Sequence, residues 1–180
     1  MLRLRGLRFH QRLQLMRLRA VEEIIGGRGP GVIPRATATE FVDLLGEEVA
    51  AALIHLHGTE SSGDIAWCLT VDLAVLSLAE ELGEDAPYRV IAESGAGDSW
   101  AIHTGDLTVV FLDHDRWGDE SDIVMHTGLE VLDFIRAADA WAQAEVHFGG
   151  EEEDRAMAEF AALLQSLPGA TGKWPYLWDG

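Results

Sequence analysis

The sequence predicts an α+β domain, an antiparallel sheet of four to five strands flanked by helices on one side. Two observations carry that expectation. Between Tyr88 and His126 lie four short apolar segments, the first three separated only by Ser94-Gly95-Ala96-Gly97-Asp98 and Thr104-Gly105-Asp106. Turns that short join antiparallel neighbours, because parallel strands need crossovers of a dozen residues or more. On either side of this block, apolar residues recur at three- and four-residue intervals, the period of a helix with one buried face. With 180 residues and 48% hydrophobic content, the chain is long enough to bury a core and short enough to form one such domain.

Taken in order, residues 10–25 carry an imperfect apolar stripe of Leu13, Met16, Val21, Ile24 and Ile25 that predicts a helix. The run Gly26-Gly27-Arg28-Gly29-Pro30-Gly31 breaks it and reads as a linker. Thr37 and Glu40 have capping-box spacing and open a helix that runs to Gly58, with Phe41, Leu44, Leu45, Val49, Ala52, Leu53 and Leu56 on one face. Beyond a polar turn at Ser61-Ser62-Gly63, the alternation of Ile65, Trp67 and Leu69 predicts a short strand. Asp72 is placed to cap a helix through Leu82 that Gly83 ends.

The β block comes next as Tyr88 to Glu93, Ser99 to His103, Leu107 to Asp113 and Ile123 to His126, with Val90, Trp100, Ile102, Val109 and Phe111 as inward groups. Thr127 and Glu130 repeat the capping-box spacing before a helix expected to bury Leu129, Leu132, Phe134, Ile135 and Ala138. A last helix over 151–167 collects four acids in its first turn, where the helix dipole favours them, and Pro168 closes it. Trp174, Tyr176 and Trp178 are too apolar to stay in water and predict a tail that packs back.

Charge divides the chain unevenly. Thirteen basic and 31 acidic residues give −18 overall. Residues 1–35 hold eight arginines against two glutamates, a balance of +6, while residues 36–180 stand at −24. The domain organisation read from this is a basic arm and linker over 1–35, with Met16 as an alternative start, and a single α+β domain over 36–180. An acidic body argues against nucleic acid as partner, since phosphate contacts need clustered Lys and Arg. Cys68 is the sole cysteine, which excludes an internal disulfide and a cysteine-based zinc site. No apolar run approaches 18 residues and no secretory signal pattern is present, so no membrane contact and a cytoplasmic location are expected.

Candidate chemistry is sparse. His103, Asp113, His114, Asp115 and His126 are residue types that ligate zinc or manganese, but Asp113 and His114 point to opposite faces of a strand. No metal and no cofactor are therefore expected. Cys68 sits between Trp67 and Leu69, the setting of a buried, unreactive thiol. Ser94 and Ser99 flank a glycine turn without the strand–turn–helix elbow of a nucleophilic serine. No catalytic residue is assigned.

The run from Tyr88 to Ile102, continued by Gly105 to Asp115, resembles the central segment of the SUKH superfamily, which includes fungal cell-wall-synthesis regulators and many bacterial immunity proteins. The shared features are a hydrophobic strand, a small-residue turn ending in Gly97-Asp98, a second strand, a glycine turn, and a third strand running into Asp113-His114. Thr127 to Phe134 matches the later strand that leads into a Phe-bearing helix. The likeness covers about residues 86–140. The Leu-Pro pair and Asn-Gly turn usual upstream in that family do not occur between Thr37 and Gly58.

The resemblance implies a non-catalytic protein-binding domain, an immunity protein that neutralises a toxin by binding it. Opposite charge makes a basic toxin, such as a nuclease, the fitting partner. The partner-binding residues expected are Trp117 as a buried anchor, with Asp115, Asp119, Glu120 and Asp122 around it, while Gly95, Gly97 and Asp98 form a structural turn. Two alternatives stand: a metal- or carboxylate-dependent hydrolase, which needs His103, His114 and His126 in one cleft, and a structural or assembly adaptor.

Overall fold

Six consecutive strands pair antiparallel in the order β1-β2-β3-β4-β5-β6, so each strand lies beside its sequence neighbours. The computed structural model describes residues 16–26, 31–70, 76–83, 85–116 and 120–177. The strands are β1 (Glu60–Ser62), β2 (Ile65–Trp67), β3 (Tyr88–Glu93), β4 (Ser99–His103), β5 (Thr108–Leu112) and β6 (Val124–Glu130). The helices among these residues are α1 (Val21–Ile25), α2 (Arg35–Leu45), α3 (Glu47–Leu56), α4 (Leu76–Leu82), α5 (Glu120–Ile123), α6 (Val131–Glu145) and α7 (Glu153–Gln165). The class is α+β as expected, with one strand more than the upper expectation. The extra strand is β1: Glu60 and Ser62 are paired to β2, and the turn falls at Gly63-Asp64.

Helices cover both faces of the sheet, not one. The larger core joins Trp67, Ile91, Trp100, Ile102, Val109 and Phe111 of the sheet to Phe41 and Leu53 of α2 and α3, Phe134 and Trp141 of α6, and Phe160 of α7. A smaller core on the opposite face gathers Tyr88, Val90, Ala101, Val110 and Leu112 beneath Leu78 of α4 and Ile123 of α5. Val90 therefore faces away from the other four predicted inward groups. The reason is a register shift: Val90 pairs with Ala101 and Ala92 with Trp100, so Ile91 is an extra residue that reverses the facing of the rest of β3.

One helix boundary and two capping expectations change. The helix expected over Thr37 to Gly58 is two helices, because Gly46 adopts φ +82° between them, a conformation that side chains beyond glycine rarely reach. The first of them begins at Arg35 after Pro34, whose ring presets the entry angle, so Thr37 is buried inside the helix and caps nothing. Thr127 likewise lies within β6, donating its hydroxyl to the Val109 carbonyl at 2.5 Å, and α6 starts after Glu130. Leu129 is buried from the strand, and Leu132 is only partly buried. The predicted cap at Asp72, the linker residues 27–30 and Trp178 lie outside the described residues.

Residues 16–20, expected as helix, form no regular element and lie as a strap against α6, and only 21–25 are helical. Polar contacts hold the strap in place. Arg17 donates its backbone N–H to Gln143 Oε1 at 3.1 Å, and Gln143 Nε2 returns a bond to the Arg17 carbonyl at 3.0 Å. Arg19 grips Asp139 of α6 with both ends of its guanidinium, Nε reaching Oδ2 at 2.7 Å and Nη2 reaching Oδ1. Met16, Leu18, Val21, Ile24 and Ile25 pack on the larger core, so this part of the basic segment is built into the domain. The expected consequence is specific. Asp139 is 5% exposed, and R19A leaves its charge without its guanidinium, so stability in urea unfolding should fall by about 2 kcal/mol, with R19K recovering only part because lysine cannot grip both oxygens. A loss within the error of the measurement would show that the strap is a passive covering.

Candidate functional site

The β3–β4 turn is organised by Ser94. Its hydroxyl oxygen accepts the backbone N–H groups of Ala96 at 3.2 Å and Asp98 at 3.1 Å, and its proton goes to Asp98 Oδ2 at 3.0 Å. Gly97 holds φ +101°, which completes the turn. Gly95 donates its N–H to the Gly63 carbonyl at 3.0 Å and so ties this turn to the β1–β2 turn.

Asp98, 7% exposed, reaches out of the hairpin to the segment beyond β5. Its Oδ1 accepts the backbone N–H of His114 at 3.2 Å and lies 2.8 Å from His114 Nδ1. The other imidazole nitrogen, Nε2, is 3.2 Å from Asp115 Oδ1. The Asp98 hydrogen bond raises the His114 pKa above its ordinary value; burial opposes it, and the charges of Asp115, Asp98 and Asp113 add to it. The order of contacts is Ser–Asp–His, with the serine proton spent on the carboxylate that binds the histidine. A nucleophilic triad needs the imidazole between the two. This cluster locks a hairpin to a neighbouring loop.

The acidic edge beyond His114 carries the remaining expected partner-binding residues. Asp115 and Asp122 are exposed. Glu120, also exposed, accepts a hydrogen bond from the Tyr88 hydroxyl, and burial together with this carboxylate raises the Tyr88 pKa. Trp117 and Asp119 lie outside the described residues.

The three histidines of the hydrolase alternative are not in one place. His103 ends β4 and His126 lies on β6, their rings 6.2 Å apart. His114 lies past the far end of β5, since Ile102 pairs with Val109 whereas Ser99 pairs with Leu112. His103 Nδ1 is 2.9 Å from Asp106 Oδ1, a bond that holds the Asp106 carboxyl down at about 2. Among the described residues, no group of three or more His, Cys, Asp or Glu side chains is gathered for a metal ion. Burial, with Glu93 beside it, pushes the Cys68 thiol up to about 12, so it is protonated and a poor nucleophile at neutral pH.

Asp64, not singled out in the sequence, is the acceptor for two buried indoles. The Trp100 indole donates to its carbonyl at 3.1 Å and the Trp141 indole to its Oδ2 at 3.0 Å. A Gly-Asp pair between two short runs is a hairpin signal, and it was present at Gly63-Asp64.

No family model, curated protein or solved structure matches the chain.

The lock between Asp98 and His114 makes a pH dependence. Because the folded-state pKa of His114 is raised, its stabilisation is fully present below the ordinary histidine value of 6.5 and is lost as pH rises through the raised value. The thermal midpoint of the native chain should exceed that of H114A most below the ordinary histidine value, with the gap narrowing as pH rises through the raised value. A gap that is constant or widens with pH contradicts the assignment.

Proposed function

We propose that the chain is a non-catalytic protein-binding domain of the immunity type, working in the bacterial cytoplasm, whose acidic body occupies and neutralises a basic toxin. The observation that carries this reading is where the charge sits. Residues 36–180 hold 29 acids against five basic residues, and among the described carboxylates only Asp98 and Asp139 are buried. A field of one sign over an exposed surface speeds encounter with an oppositely charged protein and repels nucleic acid and anionic metabolites.

The site geometry favours binding over catalysis for the residues that sequence reading brought forward. Ser94, Asp98 and His114 are consumed in holding one another, and the register sends His103 and His114 to opposite ends of β5. Asp115, Glu120 and Asp122 stand exposed in the connection between β5 and β6 that begins beside that lock. No helix among the described residues is long and apolar enough to cross a membrane. The resemblance over residues 86–140 supplies the immunity class; the charge supplies the basic partner.

Capture by the neighbouring gene product, together with binding kinetics in a salt series, tests the reading. The association rate should fall steeply as added salt shortens the Debye length below about 8 Å, while the dissociation rate changes little. D122K should slow association without altering the fold, since its side chain is exposed. An association rate indifferent to salt, or failure to capture any basic protein, contradicts this function and favours the adaptor reading.

A further inference from the structure

The strap does not lie flat on the helices. Between residues 17–25, α3 and the first turn of α6 it leaves a groove of about 900 Å³. The apolar lining comes from Leu18, Val21 and Ile25 of the strap, Ala51 and Ala52 of α3, and Leu132 of α6. Glu48 and His55 join the lining from α3 because positions 48, 51, 52 and 55 fall on one helical face.

The charged residues of the lining do not balance. Five carboxylates, on Glu22, Glu23, Glu48, Glu130 and Asp133, face two guanidinium groups, on Arg17 and Arg136. Both cations are already engaged: Arg17 pairs with Glu23 at 3.2 Å and Arg136 with Asp133 at 2.8 Å. Glu22, Glu48 and Glu130 have no cationic partner among the described residues. The groove therefore combines an apolar floor with three uncompensated negative charges. A ligand complementary to both has an aliphatic stem ending in a cation, which is the build of an arginine or lysine side chain.

We propose that this groove is the docking site for a segment of a basic protein that presents Arg or Lys beside apolar residues. The inference rests on the reading of the chain as a binder of basic protein, and it names a surface distinct from the Asp115–Asp122 edge. The floor takes the side-chain stems and apolar neighbours, and Glu22, Glu48 and Glu130 take the cationic ends. Because the strap forms one wall, the Arg19–Asp139 grip that holds the strap also shapes the site.

The test is an NMR titration of the full chain, labelled with nitrogen-15, against acetyl-Leu-Arg-Leu-Arg-amide and its glutamine counterpart, acetyl-Leu-Gln-Leu-Gln-amide. The arginine peptide should shift amides within 17–25, 48–55 and 130–136, and the glutamine peptide should not. E48Q with E130Q should weaken the arginine peptide about fivefold, as expected for two exposed charges. Equal response to both peptides, shifts centred on the Asp115–Asp122 edge, an unchanged affinity in the double variant, or no response at all overturns the proposal. The outcome is separable from that of the functional reading. A captured basic partner whose affinity ignores E48Q and E130Q sinks the groove and leaves the function standing. Arginine-selective filling of the groove with no partner captured does the reverse.

Discussion

Burying tryptophan sets the constraint on which this structure depends. Each indole brings a large apolar ring and one N–H that costs free energy if it finds no acceptor once water is gone, a cost that Trp174 Nε1, buried without a partner among the described residues, leaves in place. The chain buries Trp67, Trp100, Trp141 and Trp174 in one core, and a single small hairpin serves three of them. Ser61 Oγ accepts from Trp67 at 2.7 Å, the Asp64 carbonyl from Trp100 at 3.1 Å, and Asp64 Oδ2 from Trp141 at 3.0 Å. Trp67 and Trp100 belong to the sheet, whereas Trp141 belongs to α6. The β1–β2 hairpin is thus the joint that fixes the helical layer to the sheet. It carries a cost. Glu145, at the end of α6, is drawn into the same place, where burial and the Asp64 charge raise its carboxyl pKa against the Gly63 N–H and Ser62 hydroxyl that hold it down.

The rest of the helical face depends on this joint. Trp174 of the tail inserts into the aromatic pocket, with ring centroids 4.8 Å from Trp100, 5.2 Å from Phe160, 5.9 Å from Phe134 and 6.0 Å from Trp141. The tail reaches it by crossing the outer edge of β6, where Thr171 donates its N–H to the Thr127 carbonyl at 2.8 Å. Gly128 permits the crossing, since a Cβ there would stand 2.1 Å from the Gly169 carbonyl oxygen. This arrangement also covers backbone groups of β6 that would otherwise be open to pairing with another chain. On the other side of α6, the strap closes the layer through Arg19 and Asp139. Among the described residues, all carboxylates but Asp98 and Asp139 are left outside the buried interior.

Legibility in the sequence tracked how local each signal was. The strands from Tyr88 to Leu112 were readable because apolar runs alternate with Gly-Asp turns, and the ordered tail because three aromatic residues in a short terminal segment demand burial. Gly46 was hidden inside an otherwise continuous apolar period, so one helix was expected where its positive φ makes two. Thr37 and Thr127 had the spacing of caps but were buried by tertiary packing, which no spacing rule contains. The facing of Val90 depended on a bulge set by pairing with β4. At the site, Asp98 was legible as a turn residue, but its hold on His114 spans 16 positions and emerges only when β5 lies beside β4. Asp64 was missed for the same reason: its partners are 36 and 77 residues away.

A double-mutant cycle between D64A and W141F tests most directly whether the hairpin joins sheet to helix. Phenylalanine keeps most of the ring and removes only the indole N–H, so the coupling isolates the bond between Asp64 Oδ2 and Nε1. A charge-assisted bond predicts a coupling of about 1.5 kcal/mol in urea unfolding, with D64A alone also disturbing the near-ultraviolet tryptophan signal through Trp141. Additivity within about 0.4 kcal/mol would contradict the account, since neighbours that act independently cannot be the joint on which the helical layer is fixed.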